Sequence, residues 1–297
     1  MGRGFLFMAE SALAFAAMGA LAKAAGQRLP VGEIVLARGL VSLVLCLATL
    51  RRAGVNPFGR QRLRLFARGV IGALGLACVF YAVTRLPLAE ATVIQYLHPV
   101  FTACLAALLL RERTGPGLVL SIALGAAGVL VVARPAFLFG GAAAALPPLA
   151  LAAALAGAFL SACAYVAVRH LSATEHPVVI VFYFAWVAVA SSLPLAAHSL
   201  VWPEGHEWLL LAGVGVCAQL GQVAMTHGLR IQPAARATAL SYLQVVFAAG
   251  FGALFFGERP GLWTGLGALL ILSGTLVAVR EGRRERAAHL AAAETAP

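Results

Sequence analysis

The sequence is poor in charged residues and contains no aspartate. Only 11% of its 297 residues are charged, and all 11 acidic residues are glutamates, whereas soluble domains carry about 25% charged residues. Hydrophobic residues make up 62% of the chain and the mean hydropathy is +0.92. A water-soluble fold of this length could not bury so much apolar surface, because the buried fraction rises slowly with size. The composition excludes a soluble enzyme, a secreted disulfide-rich domain and a disordered chain.

Nucleotide-binding and metal-binding patterns are also missing. The sequence has no G-x-x-x-x-G-K-[S/T] loop, the pattern that cradles nucleotide phosphates. Its five cysteines lie inside apolar stretches without the paired spacing of metal ligands, so we interpret them as packing residues. We therefore expect no catalytic residue, no metal site and no cofactor.

Ten apolar stretches of about 18–23 residues are present, and about 20 residues of helix cross the hydrocarbon core of a bilayer. They predict an all-α polytopic membrane protein with ten transmembrane helices. The first stretch contains Glu10, which would interrupt a signal peptide, so we treat it as a retained span. The predicted spans are 4–24, 31–50, 65–84, 88–110, 116–133, 148–168, 177–197, 208–229, 234–256 and 262–280.

Lysine and arginine are distributed unequally between the two sides of this predicted bundle. With the N-terminus in the cytoplasm, 16 of the 22 basic residues, Arg68 among them, fall on the cytoplasmic side, five fall on the other side, and Arg38 lies inside a span. Short cytoplasmic loops carry such an excess. We predict that both termini are cytoplasmic and that the protein is a multi-pass protein of a bacterial inner membrane. We attribute the net charge of +11 to the basic residues that orient the protein in the membrane, and we expect no nucleic-acid partner.

An internal repeat relates the two halves of the chain. An offset of 146 residues aligns 69–134 with 215–280 without a gap, and about 24 of the 66 positions are identical, more than a shared Ala and Leu bias gives. The matches include Pro87 with Pro233 and Tyr96 with Tyr242. Each half holds five spans, an odd number, so the second half must cross the membrane in the opposite sense. We predict two inverted five-helix repeats, 1–140 and 141–282, followed by a charged cytoplasmic tail, 283–297.

The repeat carries a family resemblance. The two segments concerned are RLPLAEATVIQYLHPVFTACLAALLLRERTGPGLVLSIALGAAGVLVV and ARATALSYLQVVFAAGFGALFFGERPGLWTGLGALLILSGTLVA. Their tyrosine-bearing helices, the Glu-Arg that follows each, and the glycine-bearing helices after it resemble the signature of the EamA branch of the drug/metabolite transporter superfamily. Arg38 also resembles an arginine common in the second helix of that family. Within the family, the YddG-type amino-acid exporters are one group that the chain resembles.

The resemblance implies export of amino acids or transport of other metabolites. Inverted repeats are typical of carriers that alternate access to a site near the membrane midplane. We therefore predict a secondary transporter, not an enzyme, that exports amino acids or similar small metabolites across the plasma membrane. A carrier of nucleosides, sugars or drug-like cations is the alternative; a channel or an integral membrane enzyme fits less well. The expected partners are a small-molecule substrate and the lipid bilayer, with protons as a candidate coupling ion.

Polar side chains inside spans are costly in lipid, so they are the candidates for a substrate site. On the fourth span Gln95 and Tyr96 are accompanied by His98, and on the ninth span Ser241 and Tyr242 occupy the positions equivalent to Gln95 and Tyr96. Each tyrosine lies about 12 Å along its helix, near the midplane. All of these residues could instead serve packing.

Other candidates lie on further spans. Gln219 and Gln222 share a stripe of the eighth span, where an amide could bind a polar substrate or bridge helices. Tyr81 and Trp186 could form aromatic walls or pack. Arg38 could hold a substrate carboxylate or cap carbonyls at a helix end.

Glu10 is the one carboxylate well inside a predicted span, about 9 Å from its cytoplasmic end. Burial there would raise its pKa toward neutrality, as a proton-coupling group requires. A glutamate in the first helix of the small multidrug transporters of the same superfamily is loosely similar. The alternative is a glutamate that reaches the membrane interface or pairs with a cation.

Overall fold

The computed structural model describes residues 3–86, 88–112, 115–133, 135, 138, 147–197, 201–257 and 261–294. These residues form helices and no strand, and ten of the helices in this part of the chain are long and apolar enough to cross a membrane. The predicted all-α, ten-span architecture is confirmed. In chain order the helices are α1 (Arg3–Ala25), α2 (Val31–Arg52), α3 (Arg62–Arg85), α4 (Leu88–Gln95 and His98–Leu109), α5 (Pro116–Ala133), α6 (Pro148–Leu171), α7 (Pro177–Ala197), α8 (Glu207–Ile231), α9 (Ala234–Ala239, the 3-10 turn Leu240–Tyr242 and Leu243–Phe255) and α10 (Leu262–Glu294).

Proline begins several of these helices. Pro116, Pro148 and Pro177 are the first residues of α5, α6 and α7, and Pro233 is the N-cap of α9. Proline is suited to a helix start because its missing N–H would have no intrahelical partner there and its φ is already helical. At the other end of the chain, α10 continues to Glu294 and does not end at the predicted residue 280, because the following segment is rich in Ala, Glu and Arg, which favour helix.

The two repeats are inverted with respect to each other. Helix α5 and its repeat equivalent α10 pack along their length, with Ser121 beside Gly274 and Gly128 beside Gly267. A rising number on one helix meets a falling number on the other, so the two helices run antiparallel. Equivalent helices of a parallel repeat could not do so, and the predicted inversion follows from this pairing.

Helix packing between the repeats follows the same pseudo-twofold symmetry. Helix α1 packs on α8, while its repeat equivalent α6 packs on α3, the equivalent of α8. Helix α2 packs on its own equivalent, α7. Glycines permit the close approaches, as at Gly228 against Met8 and Gly75 against Leu160. The two repeats are therefore in extensive contact with each other.

Helices α4 and α9 are both irregular at the same repeat position. In α4 the regular helix ends at Gln95 and resumes at His98, and the Leu97 amide bonds to the Ile94 carbonyl three residues back. The cause is Pro99, which has no N–H to donate to the Gln95 carbonyl. In α9 the 3-10 turn ends at Tyr242, the equivalent of Tyr96. Both irregularities fall near the middle of their spans.

Candidate functional site

A cavity of about 160 Å³ lies among α2, α3, α4, α6, α7 and α8. Both repeats contribute helices to it, as expected for a site between inverted halves. Its lining is largely apolar but includes the side chains of two arginines, two glutamines, a serine and a tyrosine. Its lining residues are Arg38, Arg68, Gly72, Leu76, Val79, Gln95, Ser161, Ala164, Tyr165, Phe184, Gln222 and Met225.

Two arginines, Arg38 from α2 and Arg68 from α3, face this cavity. Phe184 of α7 lies between them: its ring centroid is 4.6 Å from Cζ of Arg68 and 5.7 Å from Cζ of Arg38. A guanidinium over an aromatic face is held by cation–π attraction. One ring thus positions two positive charges at one cavity.

Neither arginine is paired with a carboxylate among the described residues. The ion pairs in that part of the chain use other residues: Arg28 with Glu204 and Glu207, and Arg169 with Glu112. Arg68 is only 3% exposed, and its Nε and Nη1 have no hydrogen-bond partner. Its Nη2 donates over 3.5 Å to Oε1 of Gln222. A buried charge is costly unless it is paired. The two arginines of the cavity therefore lack the negative partner that would offset this cost.

Gln95 offers the cavity a hydrogen-bond acceptor. Ser161 donates its hydroxyl hydrogen to the Gly157 carbonyl over 2.8 Å, so its oxygen accepts from Nε2 of Gln95 over 3.3 Å. The amide of Gln95 is thereby oriented, and its buried Oε1 has no partner. The wall at this point can accept a hydrogen bond from an N–H or O–H group.

Aromatic rings stack behind the cavity wall. Tyr165 lines the cavity and stacks on His98, with ring centroids 5.1 Å apart. His98 is buried, and its Nδ1 has no hydrogen-bond partner. His98 also contacts Tyr96 at a centroid distance of 5.9 Å. This histidine therefore lies one ring away from the cavity and supports Tyr165.

Tyr96 and Tyr242 meet at the contact between the repeats and do not line the cavity. Their rings stack at 5.8 Å, and the Tyr242 hydroxyl donates to the Tyr96 carbonyl over 3.2 Å. Tyr242 is fully buried, and the Ser241 hydroxyl is used within its own helix, donating to the Thr238 carbonyl over 2.6 Å. Of the polar face predicted on α4 and α9, the structure brings only Gln95 to the cavity.

Three other predicted residues lie outside the cavity. Gln219 is buried against Cys46, where its Nε2 is 3.1 Å from the thiol sulfur, and it bridges α8 to α2. Tyr81 is 37% exposed and lies under Arg85. Trp186 is 48% exposed and contacts Phe66. Gln222, by contrast, does line the cavity.

Glu10 is exposed on α1 and does not line the cavity. Its side chain lies on the outer surface of the described helices, on a helix that is a candidate membrane span. Within the described residues, no group of three or more His, Cys, Asp or Glu side chains is arranged to hold a metal.

Arg68, Ser161 and Phe184 line the cavity but are not among the predicted site residues. Arg68 was assigned to the cytoplasmic side although it falls inside the predicted span 65–84, and a charge within a span was the available signal. Ser161 and Phe184 carry no signal of their own in an apolar helix. Only the packing of six helices brings these three residues together.

A set of hydrogen bonds, which we call the inner-end clamp, joins three segments at the end of the bundle that carries both termini, the inner end. Arg169 of α6 donates its Nε to Oε1 of Glu112 over 2.9 Å and its Nη1 to the Leu229 and Arg230 carbonyls. The other oxygen of Glu112 accepts from the Ala234 amide over 2.8 Å. The clamp thus joins the end of α6 to the loop after α4 and to the start of α9, and it caps α9.

A second contact at the inner end joins two loops. The backbone amide of Arg60 and that of Gln61 both donate to the carboxylate of Glu175. Next to it, burial and the nearby charge of Arg230 lower the pKa of His176 below its usual value. Nδ1 of His176 accepts a hydrogen bond from the Val178 amide over 3.3 Å at the start of α7. The inner ends of α2, α3, α6 and α7 are tied together in this way.

Comparisons with known proteins agree with the fold and the repeat. The model of the EamA-like transporter family matches residues 2–134 and again residues 148–280, two matches related by the same offset of 146. The pseudopaline exporter CntI of Pseudomonas aeruginosa is 35% identical over 270 residues, which cover 91% of this chain and 93% of the exporter. Solute carrier family 35 member G1 of Homo sapiens is 28% identical over 246 residues, covering 80% of this chain and 67% of the carrier. A protein of known crystal structure shares the fold, with a TM-score of 0.83 at 23% identity over 93% of this chain and 96% of its own.

Proposed function

Because the chain belongs to the EamA-like transporter family, we propose that it is a secondary transporter exporting amino acids or similar small metabolites by alternating access. The matching family and the relatives are transporters, so the chain is a transporter and not an enzyme. The observation that carries the proposal is the cavity between two inverted repeats.

The symmetry supplies the physical route for transport. Two inverted halves that differ slightly in conformation can exchange their conformations, and the exchange opens the cavity first to one side and then to the other. The irregular segments of α4 and α9 meet between the halves, where Tyr96 stacks on Tyr242. A helix without regular hydrogen bonds at that point bends at lower cost than an intact one.

We propose that the inner end faces the cytoplasm of a bacterial inner membrane. Basic residues favour the cytoplasmic side of short loops. Arg60, Arg169 and Arg230 all belong to the inner-end contacts. A bacterial exporter among the relatives is consistent with this location.

Reconstitution tests the proposal. Proteoliposomes preloaded with unlabelled solute should accumulate the same labelled solute from outside by counterflow, for at least one member of a panel of amino acids, nucleosides and sugars. No counterflow of any of them by protein that remains folded and in sealed vesicles would refute it.

Proton coupling is the finer part of the proposal, with Glu10 as the group to test. If Glu10 carries the proton, Glu10→Gln should abolish flux driven by a pH gradient and leave counterflow intact. Glu204→Gln, which changes an exposed carboxylate of a loop, is the matched control. Equal loss of driven flux and counterflow in Glu10→Gln would show a structural role instead.

A further inference from the structure

We propose that the solute is an amino dicarboxylate, an amino-acid-type anion whose two carboxylates bind Arg38 and Arg68 and whose amino group bonds to Gln95. The inference rests on the proposed transport function and narrows its substrate. Its basis is a cavity with two guanidinium groups, one unpartnered acceptor and no described carboxylate in its wall.

Charge is the first argument. Arginines inside a membrane protein are normally paired with acidic side chains or with backbone carbonyls. Here Arg68 is 3% exposed with two unpartnered nitrogens, and Arg38 lines the same cavity without an ion pair among the described residues. Two positive charges that share Phe184 repel each other. A ligand with two carboxylates can pair one with each guanidinium, whereas a neutral amino acid has a single carboxylate for two guanidinium groups and a cation is repelled.

Geometry is the second argument. A guanidinium presents a planar fork of N–H donors that matches the two oxygens of a carboxylate. Nε and Nη1 of Arg68 have no partner. A guanidinium offers a carboxylate two faces, Nε with Nη2 and Nη1 with Nη2, and the bond from Nη2 to Gln222 uses only one of the two N–H groups of Nη2. The other face remains open to one carboxylate, and the contact of Phe184 with both arginines uses none of their N–H groups.

The third argument concerns the amino group. Ser161 and Gly157 orient the amide of Gln95 so that its Oε1 is unpartnered and buried. A buried acceptor without a donor costs free energy, and an amino group of the ligand supplies that donor. A dicarboxylate without nitrogen would leave the acceptor unsatisfied.

A pair of isosteric amino acids tests the inference most sharply. L-Glutamate and L-glutamine differ only in the second carboxylate, and glutarate is glutamate without its amino group. In counterflow with purified full-length protein, we expect glutamate to be exchanged at least tenfold faster than glutamine or L-lysine, and faster than glutarate. Thermal unfolding in detergent should show the same order, because a ligand that binds only the folded protein raises its stability.

Variants then assign the specificity to the arginines. Arg38→Gln should lower the glutamate-to-glutamine ratio towards one, and Arg68→Gln should do the same where it folds. Arg38→Lys keeps the charge but loses the fork, so it should restore only part of the ratio. Arg85→Gln, which removes a cation outside the cavity over Tyr81, should leave the ratio unchanged.

The outcomes separate this inference from the transport function. Counterflow of glutamine, lysine or a nucleoside at a rate equal to or above that of glutamate would overturn the amino-dicarboxylate assignment and leave the transporter intact. An unchanged ratio in Arg38→Gln and Arg38→Lys would also overturn it. Counterflow of no solute at all by folded protein would overturn the transport proposal itself.

Discussion

At the scale of single residues, the contact between the repeats is built on tyrosine and glycine. The buried ring of Tyr242 lies directly against Gly125 of α5, and its hydroxyl bonds to the Tyr96 backbone. A methyl group at residue 125 would overlap with that ring. Absence of a side chain at Gly125 is therefore what lets α9 approach α5.

Gly125→Ala should destabilise the protein by about 1–3 kcal/mol, as overpacking of a well-packed core does. The measurement is the thermal unfolding midpoint in detergent. Gly265→Ala on α10 is the control, since nothing lies within 4 Å of the methyl group it would add, and its midpoint should not fall. A midpoint for Gly125→Ala equal to that of the wild type would show that Tyr242 is free to move.

Individual site residues were only partly predictable from the sequence. Polar residues within spans were recognisable, and Gln95, Gln222 and Arg38 do line the cavity. Tyr242 is also a polar residue within a span, but it lies in the contact between the repeats. Sequence alone cannot show whether such a residue bonds to a neighbouring helix or to a ligand. Arg68 was assigned to the wrong environment because a charge near a helix end is usually in a loop.

At the scale of elements, the inner-end clamp fixes three segments with one carboxylate. Glu112 accepts from Arg169 and from the Ala234 amide. The side chains of Glu112 and Arg169 are 16% and 28% exposed, so solvent screens this pair less than a surface pair. Under the proposed alternating access, opening of the inner end would break these bonds.

Glu112→Gln should lower the unfolding free energy by about 1–3 kcal/mol, since a hydrogen bond to a charged group is replaced by a weaker one. Thermal unfolding measures the change. Glu204→Gln is the control, because its carboxylate is 78% exposed and exposed pairs contribute about 0–1 kcal/mol. Equal changes in the two variants would contradict a specific role for the clamp.

The helices themselves were largely predictable, because span length and hydropathy are local properties. The predicted spans 116–133 and 177–197 have the same bounds as α5 and α7. The irregularity in α4 has a local cause in the sequence, because Pro99 has no N–H to donate. The 3-10 turn in α9 carries no proline, having Val245 at the equivalent position, and no rule of local sequence indicated it. The side-chain hydrogen bonds of this 3-10 turn, such as the one that the Ser241 hydroxyl donates to the Thr238 carbonyl, are seen only in the structure.

At the scale of the whole molecule, two inverted repeats enclose a cavity that carries positive charge. The inversion was deducible from an odd number of spans per repeat and the offset of 146, and the antiparallel packing of α5 on α10 bears it out. The location of the cavity was not deducible, because it depends on how six helices from both halves pack. The result is a cavity with a positive charge that an exported anion is proposed to neutralise.

Alternating access makes a specific claim about the cavity. It should open to each side in turn, and a change that weakens the inner-end clamp should favour the state open to the inner side. A channel would instead expose the cavity to both sides together. Ser161 reports on this directly, because it lines the cavity on α6.

The decisive measurement is labelling of Ser161→Cys by a membrane-impermeant thiol reagent in a variant whose five native cysteines are replaced. Right-side-out and inside-out vesicles give the rate from each side. Leu269→Cys, exposed and well inside the candidate span of α10, is the control that only a lipid-soluble reagent should label. We predict labelling of Ser161→Cys from both sides, with Glu112→Gln raising the rate from the inner side and lowering it from the outer side. Labelling from neither side, or rates from both sides that rise together in Glu112→Gln, would contradict the account.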